Sequence, residues 1–474
     1  MNILLLNPPT RSDRAFIREG RCTQEQGVWA TQWPPITLAT AGACLEADGH
    51  HVEIVDCAVE PVTRGEILEK IAGGSYGLVG WATGTPSISD DLALAGEIKA
   101  VDRGVHTAVF GTHVTALADR CLRETPGLDS IVRNEPEAPL TALARCLEGG
   151  GDPASVAGIS FRDAGGEIVH TGDGGYIEDL DELPVPAWHL VDLEHYRLPL
   201  IGRRYVILLP VRGCPWPCTF CTSGTYYGSR LRRRSVPRMM DEIAYCVDTL
   251  GITDFFIWAD TFTADRDYVL EFCRQIGERG FSIHWTCNSR VDTVDEDMLV
   301  AMKGAGCWMI SYGIESGNRH TLAAIRKGIE PEQSRSAVAY ARTAGIMTVG
   351  HFVLGFPEDT EATLKETIDF ALSLRLDMAQ FYCAVPFPGS ALYDRALEEG
   401  WIDGTGFDRF NQGEAVMKLP GLPPETVNRY RKRAFLRFYC RPRRMIAMMR
   451  LAGRGGVGTL VRSGLGFLRW VLSG

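Results

Sequence analysis

Short apolar runs that recur at intervals, separated by stretches of helical period, constrain this chain more than any other feature. The first set is ILLLN at 3–7, VEIVD at 52–56, LVGWA at 78–82, TAVFG at 107–111 and SIVRN at 130–134. Continuous apolar runs of this length, spaced by helices, predict parallel strands covered on both faces, and so a doubly wound, Rossmann-like α/β domain over 1–145. A second set follows: YVILLPV at 205–211, FFIWAD at 255–260, SIHWTCN at 282–288, CWMISYG at 307–313, MTVGHFVLG at 347–355 and MAQFYCAV at 378–385. Six strand-then-helix units are two short of a closed eight-fold barrel, so an open, partial (β/α)6 TIM-type barrel is expected over 201–415. Between the two sets, 146–200 is rich in Gly, Asp and Pro and reads as a linker with a hairpin. A small helical region is expected over 416–474.

The formal net charge of -10 conceals an asymmetry. Eleven of the 49 basic residues and none of the 59 acidic ones fall in 431–474, which leaves 38 basic against 59 acidic residues before it. So acidic a body is a poor match for nucleic acid, whose phosphates need clustered Lys and Arg. The basic tail, with Phe435, Phe438, Trp470 and Leu472, suits either a helix lying on an anionic membrane surface or a helical cap on the acidic body. MNILLLNPPT reaches Asn-Pro-Pro after four apolar residues, unlike a secretory signal, and no run is long enough to span a membrane. A cytoplasmic protein with reduced thiols is expected, with membrane association through the tail as the alternative.

Three of the fourteen cysteines fall within eight residues, Cys214-Pro-Trp-Pro-Cys218-Thr-Phe-Cys221, directly after the first run of the second set. Pro215 and Pro217 exclude helix and hold the segment open, so that three thiolates can converge on one object. A disulfide leaves one cysteine over. A structural zinc site needs a fourth ligand, for which His189, His284 and His351 are candidates. An iron–sulfur cluster with three protein thiolates leaves one iron open for chemistry.

C-x3-C-x2-C with an aromatic residue, Phe220, before the third cysteine, placed after the first strand of a partial barrel, resembles the radical S-adenosylmethionine (SAM) enzymes. The resemblance implies that Cys214, Cys218 and Cys221 hold a 4Fe–4S cluster whose open iron is chelated by SAM. One electron, from an external flavodoxin- or ferredoxin-type reductant, then cleaves the sulfonium to a hydrogen-abstracting 5′-deoxyadenosyl radical. It also implies roles at the strand ends: Asp260 and Thr261 toward the methionine amino group, Arg290 toward its carboxylate, Glu315 and Ser316 toward ribose or carboxylate, and Gly355 and Phe356 toward adenine.

Asn7-Pro8-Pro9 after the first strand and PFPGSALY at 386–393, with the doubly wound domain in front, resemble the cobalamin-binding subgroup of these enzymes over about residues 1–415. Thr83, Thr85, Ser87, Gly111, Thr112, Asn134 and Glu135 are then candidates for contacts to cobalamin. The D-x-H-x-x-G loop that often supplies a histidine to cobalt reads NPPTRSD here, so cobalamin bound without a protein ligand and a degenerate scaffold are both open. His113 follows the fourth strand and is not assigned to cobalt. The leading expectation is C-methylation of an unactivated carbon in a small-molecule or lipid-like substrate. The alternatives are an oxidative cyclase or rearrangement enzyme of the anaerobic magnesium-protoporphyrin ester cyclase type and a non-enzymatic, metal-stabilised binding or assembly protein.

Overall fold

The computed structural model describes residues 1–11, 14–19, 22–25, 32–198 and 201–441. The first domain contains β1 (Asn2–Asn7), a small antiparallel hairpin β2 (Phe16–Glu19) and β3 (Cys22–Glu25), then β4 (His51–Asp56), β5 (Leu78–Ala82), β6 (His106–Phe110), β7 (Ser130–Val132), β8 (Ile159–Arg162) and β9 (Ile168–His170). Seven of these form one sheet in the order β4-β1-β5-β6-β7-β8-β9, parallel from β4 to β7 and antiparallel beyond. The hairpin expected within 146–200 is β8–β9, and it forms the far edge of this sheet. Successive side chains of β1 explain its unbroken apolar run. Ile3 and Leu5 pack with Leu38, Leu45, Leu140 and Leu143 on one face, and Leu4 and Leu6 with Ile67, Ile71, Leu94 and Ile98 on the other. Helices cover both faces, so both sets of side chains must be apolar.

The second sheet is parallel throughout: β10 (Val206–Leu208), β13 (Asp254–Ile257), β14 (His284–Ser289), β15 (Cys307–Glu315), β16 (Met347–Leu354) and β17 (Met378–Cys383), in that order. A two-stranded ribbon, β11 (Val211–Arg212) with β12 (Arg232–Arg233), flanks the cysteine segment. One face of the sheet is closed by apolar side chains such as Ile310, Tyr312, Phe352 and Phe381. The other carries the half-buried Asn288, Ser311, His351, Gln380 and Tyr382. The sheet is open: β10 and β17 have no pairing with each other among the described residues.

The helix Pro424–Tyr439 closes the β17 side. Phe435 and Phe438 lie edge-on to Phe381, with centroids 5.3 and 6.2 Å away. Arg431 Nε donates to the Phe381 carbonyl at 2.7 Å. The Tyr439 hydroxyl accepts from the Ala379 N–H (3.1 Å) and donates to the Ala379 carbonyl (2.8 Å). Phe435 and Phe438 are 1 % exposed, so they belong to the cap on the body and not to a membrane-facing stripe. Trp470 and Leu472 lie outside the described residues. Among those described, no helix is long and apolar enough to cross a membrane.

The two sheets are tied together. Val385, Tyr393, Phe407 and Phe410, which follow β17, pack into the core of the first domain, and the Tyr196 hydroxyl donates to Asp56 at 2.6 Å.

Candidate functional site

The cysteine segment leaves β11 through Gly213, at φ +84°. A Cβ there would lie 2.1 Å from the Arg230 carbonyl oxygen, so only glycine fits. The Gly213 N–H donates to Asp260 Oδ2 (3.1 Å), which links the segment to the end of β13. Main-chain bonds fix its middle: Thr219 N–H donates to the Ile325 carbonyl (3.0 Å) and its carbonyl accepts from Leu392 N–H (2.8 Å). The three thiols are half-buried and none is in a disulfide. Burial pushes the Cys218 thiol up to about 11, opposed by the nearby Lys327 and Arg290 cations and reinforced by Cys221 and Glu315. Charged groups that follow β14 and end β15 therefore lie within electrostatic reach of this cysteine.

Among the described residues, no group of His, Cys, Asp or Glu is gathered closely enough to hold a single metal ion. The histidines considered as a fourth zinc ligand are placed elsewhere. His189 meets Glu46, His351 meets Tyr382, and His284 begins β14, at the end of the sheet opposite the cysteines. Three soft thiols spread along one open loop fit a cubane, in which each thiolate takes a different iron.

Arg290 stacks on Trp216 of the cysteine segment, its guanidinium carbon 4.3 Å from the ring centroid. Its Nε and Nη2 grip Asp292 at 2.8 Å each, and Nη2 also donates to the Lys327 carbonyl. One edge of the fork expected to meet a carboxylate is thus already engaged. Glu315 ends β15 at φ +63° and pairs with Lys327 at 2.7 Å, both buried. A non-glycine residue held in this region stores about 1–3 kcal/mol, a cost that persists where surrounding structure imposes it. Phe220 packs on Phe356, centroids 5.3 Å apart, and so brings the third cysteine to the end of β16.

The remaining strand-end candidates are held mainly by their neighbours. Thr261 Oγ1 donates to the Asp260 carbonyl at 2.6 Å. The Ser316 hydroxyl is bound to Thr367 (2.9 Å) and accepts from Asn318 N–H (3.1 Å). The N–H groups of Gly355 and Phe356 both donate to Asp359 Oδ2 at 3.0 Å, so the amides expected near adenine serve an internal loop bond. Trp216, Lys327 and Asp359 were not picked out from sequence. Only Asp359 left a signal there, a carboxylate three residues after a Gly-Phe turn.

In the first domain the ends of β5 and β6 stay low and polar. Thr83 donates through both N–H and Oγ1 to the Phe110 carbonyl, and Gly111, at φ +136°, has no room for a Cβ, which would lie 2.6 Å from the Thr83 carbonyl oxygen. Ser87 donates to Asp91 (2.7 Å) inside a buried network that sequence reasoning missed. Arg18, from the β2–β3 hairpin, bonds Ser87, Asp91 and Asn7, and Asn7 donates to Asp56. Thr85 Oγ1 meets His113 Nδ1 at 3.3 Å. Burial pushes this imidazole down to about 3, and it packs edge-on to Phe407. Thr112 opens the helix Thr112–Ala116, which packs against Ser223–Tyr226 just after Cys221. Asn134 stands at φ +61° with its N–H on Thr115 Oγ1, and Glu135 points its carboxylate at Arg232. Small side chains with a glycine at the ends of β5 and β6 fit close approach of a large flat ligand, in the position where doubly wound sheets bind theirs.

Comparison with known families gives two matches: the Radical SAM superfamily over residues 208–371 and the B12 binding domain over 27–144. An uncharacterised methyltransferase of Pyrococcus horikoshii is 32% identical over 446 residues, 94% of each chain. The chain belongs to the cobalamin-binding radical SAM enzymes. The anaerobic magnesium-protoporphyrin IX monomethyl ester cyclase of Rubrivivax gelatinosus is 29% identical over 425 residues, covering 88% of this chain and 74% of the cyclase. Among solved structures, the radical SAM methyltransferase TsrM of Kitasatospora setae, with cobalamin and a 4Fe–4S cluster bound, matches with a TM-score of 0.68 and 18% identity. That match covers 84% of this chain and 75% of TsrM and supports the same fold. This radical SAM enzyme accordingly uses a 4Fe–4S cluster, SAM and cobalamin.

Proposed function

We propose that this cobalamin-binding radical SAM enzyme is a C-methyltransferase acting on an unactivated carbon of a small-molecule substrate. The observation that carries the reading is the seam between the domains, where the ends of β6 and β7 pack directly on both flanks of the cysteine segment. An arrangement that brings the ends of the cobalamin-binding sheet up to the cysteine segment suits a carbon that must first become a radical and then receive a methyl group. When bound, the cluster and SAM supply the hydrogen-abstracting radical, and cobalamin supplies the methyl group.

The chain's own residues do the holding. Cys214, Cys218 and Cys221 provide the thiolates. Asp260, Arg290 and the Glu315–Lys327 pair set the charge around the open iron, and the ends of β5 and β6 receive cobalamin. His113 meets Thr85 and packs on Phe407, and it is given no role toward cobalt in this reading. The end-to-end methyltransferase relative supports methyl transfer. Oxidative cyclisation is the second reading, supported by the cyclase relative.

The test uses anaerobically reconstituted protein, SAM bearing a deuterated methyl group, and extract of the source cells as substrate pool. A product heavier by the labelled methyl group is expected. A product that has lost hydrogen without gaining label overturns methyl transfer in favour of cyclisation.

A further inference from the structure

The seam is held by a buried quartet of charges. Glu135 and Glu137 follow β7, and Glu137 begins the helix Glu137–Glu148. Arg212 and Arg232 are cross-strand partners in the β11–β12 ribbon. All four are 2–4 % exposed. Arg232 grips both oxygens of Glu135, at 2.7 and 3.0 Å. Arg212 Nη2 donates to Glu137 at 2.6 Å, and its Nη1 lies 3.5 Å from Glu135. Two positive and two negative charges cancel, as they must where water cannot compensate them.

The position of the quartet gives it more than a clamping role. Arg212 is two residues before Cys214, and its guanidinium also sits over the Tyr227 ring, 5.3 Å from the centroid. Arg232 Nη2 donates to the Tyr227 carbonyl at 2.6 Å, and Cys214 N–H donates to the neighbouring Gly228 carbonyl at 3.1 Å. The strand leading into the cluster loop and the chain returning from it are therefore both fastened to the end of β7. Glu135, which sequence reading assigned to cobalamin, spends its carboxylate on Arg232 and on the Ile177 N–H.

We infer that Arg212 and Arg232 are positioning residues that, through Glu137 and Glu135, make the geometry of the cluster loop depend on the cobalamin-binding domain. The inference rests on Cys214, Cys218 and Cys221 holding the cluster. Arg212 reaches two carboxylates with a planar fork, which a lysine ammonium cannot span, although lysine keeps the charge.

Full-length wild-type, Arg212→Lys and Glu137→Asp proteins are reconstituted and compared. Iron content, thermal midpoint, cobalamin binding by visible absorption, the EPR spectrum of the reduced cluster with and without SAM, and 5′-deoxyadenosine formation are measured. Both variants are expected to fold, to carry wild-type iron and to bind cobalamin. Their SAM-induced EPR change should be altered, and 5′-deoxyadenosine should form on the order of ten- to a hundred-fold more slowly, as displaced reacting groups require. Wild-type spectra and rates in either folded variant overturn the inference, as does failure of both to fold, since a merely structural tie behaves in those ways. Loss of cobalamin binding in Glu137→Asp also overturns it, because the carboxylate then serves cobalamin. A wild-type protein with no cluster signal overturns the site reading beneath it.

Discussion

Arg290 lies over the face of Trp216, its guanidinium carbon 4.3 Å from the ring centroid, so a residue between Cys214 and Cys218 is held by the end of β14. A cation–π contact between a buried guanidinium and a half-buried ring contributes about 1–2 kcal/mol. Trp216→Ala should leave the iron content unchanged and slow 5′-deoxyadenosine formation by roughly five- to thirty-fold, the rate equivalent of that energy. Trp216→Phe, which keeps a ring, should fall between. Chromatographic assay of 5′-deoxyadenosine decides, and a wild-type rate in Trp216→Ala contradicts the role.

The cluster thiolates give a sharper expectation. If Cys214, Cys218 and Cys221 hold the cluster as proposed, Cys221→Ala removes one of three thiolates. Iron per chain and the 4Fe–4S absorbance should both fall, and reductive SAM cleavage should be lost to background. Retained cleavage would show that other groups hold the iron.

Lys327 and Glu315 form a buried pair beside Cys218. Removing one partner of such a pair strands the other charge and costs about 3–5 kcal/mol, whereas removing both costs much less. Lys327→Met should therefore lower the denaturant midpoint strongly, and adding Glu315→Gln should restore most of it. Equal losses in the single and double variants would mean that the pair contributes by packing alone.

The Glu19 carboxyl is fully buried, accepts from the N–H and hydroxyl of Thr37, and is pushed up to about 8 by burial. The folded chain thus keeps a proton that the unfolded chain releases above about 4.5. That stability is fully present below 4.5 and is lost as pH rises through about 8. The thermal midpoint should fall between pH 6 and pH 9, and Glu19→Gln should flatten the slope in that window. An unchanged slope in Glu19→Gln assigns the dependence to other groups.

The strands were legible because each buried run carries its own local pattern, and the cysteine spacing was legible because the three thiols sit within one loop. The polar interior was not. Arg212 meets Glu137 across 75 residues of chain and Arg232 meets Glu135 across 97, so neither end of either pair carries a sign of the other. The run Arg232-Arg233-Arg234 has the composition of a solvated surface, yet Arg232 and Arg234 are 4 % exposed and only Arg233 reaches out. Arg18 and Asp91 are hidden in the same way, separated by 73 residues. Ser316, Gly355 and Phe356 stand out by position along the strands, but position could not reveal that Thr367 and Asp359 already occupy their donors and acceptors.

A parallel sheet that stops at six strands leaves a row of backbone donors and acceptors along β17, a template for another chain. At Ala379 a single tyrosine hydroxyl answers both the N–H and the carbonyl, as a neighbouring strand would, and two residues on a guanidinium takes the next carbonyl. The helix Pro424–Tyr439 thereby acts as a counterfeit seventh strand, satisfying the border of the sheet without inviting a real one. A second chain seeking to pair along β17 would have to displace these side chains first.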